Sequence, residues 1–224
     1  SSAASDVYKR QLLILCGAVG FFLLEFNNPE TMGDMNLLEK MTASLFQSVT
    51  TRTAGFATVP QGDLRESSKL LGCMLMFIGG SPAGTAGGVK TTTIAMLLLT
   101  VLCVLKNKRD TECFARKIDN NIVRSGITIT MITLIFLMSG ITALTIFEPG
   151  IDFLDLTYEA ASAMGTVGLT ADLTPILSRG SHVILMILMY VGRIGPLTMA
   201  LALSGRSDKI SKFRELPEEN VMLG

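Results

Sequence analysis

From Ser125 to Phe147 the chain runs for 23 residues without a charged side chain. About 20 consecutive apolar residues carry an α-helix across the hydrocarbon of a bilayer, where the backbone must satisfy its own hydrogen bonds. The run therefore predicts a transmembrane helix, with lipid as the solvent for its neighbourhood. Three other apolar spans accompany it. Leu12 to Leu24 is one. Leu70 to Val89 is the second, with another apolar run from Thr91 to Leu105 after Lys90. Ser181 to Gly205 is the last, interrupted by Arg193. Only 17% of the 224 residues are charged, against roughly 25% in a soluble domain. Nineteen Lys and Arg balance nineteen Asp and Glu. That balance excludes a nucleic-acid binder working through bulk positive charge, and the apolar content argues against disorder.

The leader SSAASDVYKRQ is small and polar, then basic, unlike the apolar run that begins abruptly at Leu12. That run, 13 residues long, is short for a span. Residues 1–11 read as a non-native leader or artefact, with part of the first helix missing. A signal peptide would place Lys9 and Arg10 as its basic flank, but no A-x-A site comes after them. Cys16, Cys73, Cys103 and Cys113 form no CxxC pair, so they read as small apolar side chains. With His182 as the single histidine, neither a Cys/His metal site nor a Ser-His-Asp triad is expected.

The charges are sorted by sign along the chain. Residues 106–124 carry six Lys and Arg against three acids, and the tail opens with Arg206, Lys209, Lys212 and Arg214. Residues 25–66 carry six acids against three cations, and residues 148–180 carry five acids against Arg179 alone. The positive-inside tendency places 106–124 and 206–224 in the cytoplasm and the acidic connections outside. Two hairpins then enter from the cytoplasm, each with an acidic outer turn.

Both outer connections are too long for turns. They read MTASLFQSVTTRTAGFATV from Met41 and LTYEAASAMGTVGLTADLT from Leu156. Aligning Thr53-Ala54-Gly55-Phe56 on Thr166-Val167-Gly168-Leu169 gives an offset of 113 residues, and the flanking spans align under it. The chain is an internal duplication of helix, short helix plus loop, helix. A short helix followed by extended chain inside a membrane survives only where it is buried in protein or lines a wet cavity. Glycine permits backbone angles that aim successive carbonyls toward one axis, and rings of carbonyls replace the hydration shell of a cation. The negative end of each short helix would point at the ion. The acidic mouth would gather cations.

TTRTAGF (Thr50 to Phe56), SPAGTAGGVKTTT (Ser81 to Thr93), GTVGL (Gly165 to Leu169) and YVGRIGPLT (Tyr190 to Thr198) together resemble the Trk/Ktr/HKT potassium-transporter superfamily, most closely the membrane subunit of the bacterial Ktr system. The resemblance implies an all-α membrane protein built of parallel helix–pore helix/filter loop–helix repeats, four around one pore, of which this chain resembles the third and fourth. It would thus be half of the pore. Residues 12–110 would be the third-type repeat and 111–205 the fourth, with 206–224 a cytoplasmic tail. It implies potassium as the transported ion, held at Thr53, Ala54, Gly55, Phe56, Thr166, Val167, Gly168 and Leu169, with no enzymatic step. It also implies a homodimer in the bacterial inner membrane, seated on a cytoplasmic nucleotide-binding regulatory ring that could dock on 106–124 and the tail.

Gly79, Gly80, Gly84, Gly87, Gly88 and Pro82 crowd one ten-residue stretch. A continuous helix there would cost on the order of 1 kcal/mol per glycine and about 3 for the proline, so the helix should open. GGVKTT lacks the Gly-Lys pair of a phosphate-binding P-loop. By resemblance, residues 79–92 act as a gate beneath the filter, with Ser81, Thr85 and Lys90 in it. Lys90 faces the cavity or snorkels to the cytoplasmic interface. Arg193, about midway in the last span, either pairs within the bundle or faces the cavity as a cation below the filter; the resemblance favours the second. Arg52 should point away from the ion axis and pair with an acid of the short helix or the mouth.

The alternatives are a tandem two-span pore-loop cation channel, a sodium-permeable relative, a membrane-embedded enzyme or pump component, and a secondary transporter with broken helices. The glycine-rich break in one repeat argues against the first of these. The absence of acid, histidine or cysteine clusters within the spans argues against the enzyme. Repeats that run parallel argue against the last, whose repeats can be inverted.

Overall fold

The computed structural model describes residues 2–80, 86–106, 112–113 and 116–195. Seven α-helices carry the described chain: α1 (Ser2–Glu25), α2 (Leu37–Thr50), α3 (Glu66–Phe77), α4 (Thr91–Leu105), α5 (Asn120–Phe147), α6 (Phe153–Gly165) and α7 (Arg179–Ile194). A two-residue antiparallel pairing of Glu112–Cys113 with Arg116–Lys117 lies between α4 and α5. The protein is all-helical in architecture, a leading repeat of α1, α2 and α3–α4 followed by a trailing repeat of α5, α6 and α7. Among the described residues α5 is the one helix long and apolar enough to cross a membrane by length and composition. The apolar α4 has 15 residues.

Helix α1 differs from the sequence expectation by beginning at Ser2 rather than near Leu12. The leader contains neither glycine nor proline, so helix propagates through it at little cost. The short helices, expected at about ten residues, have 14 in α2 and 13 in α6. Three helix starts, those of α2, α5 and α7, are prepared by a local side-chain hydrogen bond. The Asn36 amide donates to Glu39 Oε2 at 2.8 Å before α2. Asp119 Oδ1 accepts from the Asn121 amide at 3.1 Å before α5. The Ser178 hydroxyl accepts from the Ser181 amide at 3.3 Å before α7, one of the orphan donors that every helix N-terminus must satisfy.

The two repeats close their hairpins in the same way. Glu25, the last residue of α1, accepts from the Arg65 amide at 3.0 Å. Glu148, just after α5, accepts from the Ser178 amide at 2.7 Å. Arg65 and Ser178 precede α3 and α7 and are 113 residues apart. Thr31 and Asn28 also donate to Glu25, each at 2.6 Å, and the Ser181 hydroxyl donates to Glu148 at 2.7 Å.

Helix α6 is the centre of the fold. From Tyr158 to Gly165 every residue is buried. Leu156, Ala160 and Ala163 join Leu137, Ile141 and Leu144 of α5 and Leu185, Leu188 and Val191 of α7 in the main core. On its other side Tyr158 and Ala161 pack with Cys73 and Met76 of α3. The alanines let the backbones approach, and Gly192 carries this further: a Cβ there would collide with the Met164 carbonyl. Large apolar side chains on α1, α4, α5 and α7, such as Leu15, Leu102, Ile135 and Ile187, are exposed. That is the opposite of a water-soluble surface, and lipid or further protein is the solvent that tolerates it.

Candidate ion pathway

The two short helices end in loops with one backbone signature. Thr53 has φ +67° and Gly55 φ +73°; Thr166 has φ +51° and Gly168 φ +92°. Positive φ is costly for an L-residue and easy for glycine. Its alternation with ordinary φ at Ala54 and Val167 turns neighbouring peptide units so that consecutive carbonyls can share one side. Among the described residues, the carbonyls of Thr53, Ala54, Gly55, Thr166, Val167, Gly168 and Leu169 accept no hydrogen bond. Of these residues only Val167 and Leu169 are buried, so the row of unpaired carbonyls stands open to solvent or to a ligand.

The loops lie against each other. A Cβ built on Gly55 would collide with the Val167 carbonyl oxygen, and one on Gly168 would lie 3.7 Å from Gly55 Cα. Val167 and Leu169 send their side chains into the core beside Tyr158 and Met76, while Gly168 is exposed. The backbone is thereby the face this loop offers to the open space. In the leading loop the Thr50 hydroxyl both accepts from the Phe56 amide at 2.9 Å and donates to the Phe56 carbonyl at 2.6 Å, and the Phe56 side chain is 70% exposed. The trailing loop lines a cavity of about 620 Å³ together with Glu159 and Arg193.

The predicted opening in the α3–α4 stretch is present. Helix α3 stops at Phe77, whereas α7 continues to Ile194, four residues past Tyr190, the position equivalent to Phe77. Ile78 and Val89 pair in a parallel bridge, with Gly79 N to Val89 O at 2.8 Å and Val89 N to Phe77 O at 3.1 Å. Gly79, Gly80, Gly87, Gly88 and Lys90 belong to this neck. Ser81, Gly84 and Thr85 lie outside the described residues, as do the tail and part of the 106–124 loop. Gly87 approaches the trailing loop closely enough to donate its amide to the Thr166 hydroxyl at 3.1 Å. The Lys90 ammonium donates to the Ala86 carbonyl of its own loop, and the Arg193 charge is felt at Lys90.

The expected Arg52 ion pair is not formed. All three guanidinium nitrogens are buried without a hydrogen-bond partner among the described residues, and the charge that acts on Arg52 is Arg10 of α1. The one acid of α2, Glu39, is at the far end of that helix and serves its N-terminus. His182 donates from Nδ1 to the Ser178 carbonyl at 2.8 Å at the start of α7.

Sequence reasoning missed the side chains that hold the loops. Gln47 of α2 and Gln61 of the leading loop bond to each other, and Gln61 also takes the Tyr158 hydroxyl at 2.8 Å. Glu159 accepts from the Thr170 hydroxyl, from the Ala171 amide at 3.0 Å and from the Thr174 hydroxyl at 3.1 Å. The available signal is an acid set directly before the small and apolar AASAMG stretch of α6, which charge counting alone groups with the acidic mouth.

A family model described as "TrkH: Cation transport protein" matches residues 10–213. The chain is 41% identical over 203 residues to Ktr system potassium uptake protein B of Bacillus subtilis, covering 91% of this chain and 45% of that protein. It is 34% identical over 217 residues to the potassium/sodium uptake protein NtpJ of Enterococcus hirae, covering 95% and 48%. The chain thus spans about half the length of the curated relatives it matches. In fold it resembles the crystal structure of the potassium transporter TrkH from Vibrio parahaemolyticus, with a TM-score of 0.71 at 21% identity, covering 88% of this chain and 44% of that one.

Proposed function

The chain belongs to the TrkH family of cation transport proteins, and from that membership we propose that it forms part of a potassium-conducting pathway in a membrane. The ion is held by backbone carbonyls of Thr53 to Phe56 and of Thr166 to Leu169, and it moves down its electrochemical gradient without covalent chemistry. The observation that carries this reading is the recurrence, 113 residues apart, of the same alternating positive φ in two facing loops. A dehydrated cation needs oxygen ligands on several sides, so two such loops supply part of a coordination shell that further repeats of the pore complete.

Residues 12–110 and 111–205 are the two pore repeats, and the neck at Ile78 and Val89 carries the gate stretch 79–92. Contact between Gly87 and Thr166 supports a gate directly beneath the filter. Arg193, on the wall of the trailing-loop cavity, is the cation beneath the filter. The protein is multi-pass in the bacterial plasma membrane with 106–124 and 206–224 inside, and it acts as a homodimer on a cytoplasmic nucleotide-binding ring. The relatives' designation as proteins of a Ktr system is in keeping with a multi-subunit assembly. The name of the second relative, which includes sodium, favours one alternative, a pathway that also passes sodium.

The test is complementation of potassium-requiring cells by the full-length protein that contains these residues, with Gly168→Ser beside it. A side chain at φ +92° is strained and should reduce potassium uptake and its preference over sodium. Wild-type uptake and preference in that variant would remove the filter assignment.

A further inference from the structure

Tyr158 and Glu159 are consecutive residues of α6, 0% and 4% exposed, and they hold different loops. Tyr158 reaches the leading loop at Gln61, and Glu159 reaches the trailing loop at Thr170, Ala171 and Thr174. Gln61 and Thr174 are the same loop position, 113 residues apart. Each short helix therefore struts its own loop at an equivalent point, Gln47 to Gln61 and Glu159 to Thr174. The difference is charge: the leading strut is an amide and the trailing one a carboxylate. No Lys or Arg among the described residues forms a salt bridge with that carboxylate. It lies on the wall of the cavity that the trailing loop lines.

A buried carboxylate without a cation is expensive unless hydrogen bonds satisfy it. Here three donors do. An ionised carboxylate only accepts, so it dictates the direction of both hydroxyls and the amide at once. The Thr170 hydroxyl also meets the Thr174 hydroxyl at 3.0 Å and amide at 3.4 Å, so the segment 170–174 is locked as a unit, starting one residue beyond Leu169. We propose that Glu159 is a positioning residue for ion choice: its grip on 170–174 fixes the spacing of the Thr166–Leu169 carbonyls and so sets the preference for potassium over sodium. This rests on the filter reading above. A loop released from the strut relaxes around a smaller ion and loses discrimination.

The experiment uses the full-length protein and measures KM for potassium and for sodium uptake, with the amount in the membrane, in Glu159→Gln, Glu159→Ala, Thr174→Val, Thr174→Ser and Gly168→Ser. Glutamine keeps the size but must present an NH₂ to a donor, forcing one hydroxyl to turn. Both Glu159 variants should lower the sodium-to-potassium KM ratio, alanine by roughly tenfold, the scale of one lost charge-assisted hydrogen bond. If neither reaches the membrane, Thr174→Val carries the test: it should lower the ratio, and Thr174→Ser should restore it. An unchanged ratio in variants present at normal level, with Gly168→Ser altered, overturns the role of Glu159 and leaves the filter standing. A silent Gly168→Ser overturns the filter and this role with it.

Discussion

Gly87 donates its backbone amide to the Thr166 hydroxyl across 3.1 Å, which joins the stretch after the α3 break to the first residue of the trailing loop. A Cβ on Gly87 would lie 2.7 Å from that hydroxyl oxygen and 3.0 Å from the Gly165 carbonyl. Gly87→Ala should therefore push the two apart. Losing one hydrogen bond, ~1 kcal/mol, moves a closed–open balance by roughly fivefold. The expected outcome is faster potassium uptake at saturating ion, read as Vmax in cells with matched protein levels. A slower or unchanged Vmax would mean that this contact does not hold a closed state.

Arg193 sets a positive charge on the wall of the cavity that the trailing loop lines. A fixed cation beside a cation path raises the barrier to passage. Arg193→Ala should speed rubidium or potassium flux, whereas Arg193→Lys, which keeps the charge, should change it less. Flux equal to wild type at normal expression would assign Arg193 to packing alone.

Lys69 of α3 and Asp155 of α6 form an ion pair that ties the two repeats, with side chains 9% and 21% exposed. Removing one partner of this partly buried pair leaves the other without its counter-charge, at a cost of about 1–2 kcal/mol, less than for a fully buried pair. Lys69→Met should lower the thermal midpoint of the detergent-solubilised protein, and adding Asp155→Leu should recover part of the loss. Additive losses in the double variant would show that the two charges act independently.

Glu148 caps the C-terminal end of α5, where the chain turns toward α6 and α7. The Ser181 hydroxyl and then the Ser178 amide hold its carboxyl below the usual carboxylate range. A carboxyl whose pKa is lowered by folding stabilises the fold above its unfolded pKa, and that contribution is lost as pH falls through the folded value. The thermal midpoint should therefore drop on acidification below about pH 4, and Glu148→Gln should flatten that dependence. Identical pH profiles for the two proteins would discount the contact.

Much of this architecture was legible because membrane folding writes itself into the sequence. The uncharged run before Phe147 became α5, and the 113-residue offset recovered from two short motifs also aligns Arg65 with Ser178 and Gly79 with Gly192. The glycines after Phe77, with Pro82 among them, told of the break, since these two residue types make helix the most costly. The illegible parts involve partners distant in sequence. Nothing local tells that Tyr158 reaches back 97 residues to Gln61, or that Glu159 turns inward rather than to the acidic mouth. Arg52 failed for the same reason: burial takes its guanidinium away from the acids near it in sequence, and no described group bonds to it there.

The paired residues at Ile78 and Val89 give the α3–α4 connection a fastened base. Ten residues lie between them, and both helices leave from the clasp itself. The clasp thus fixes the spacing at which α3 ends and α4 begins, as a hinge plate fixes the two leaves mounted on it. On the α4 side of that plate Gly87 fastens the connection a second time, to Thr166 of the trailing loop, so the break in α3 is anchored to the other repeat as well as to its own helices.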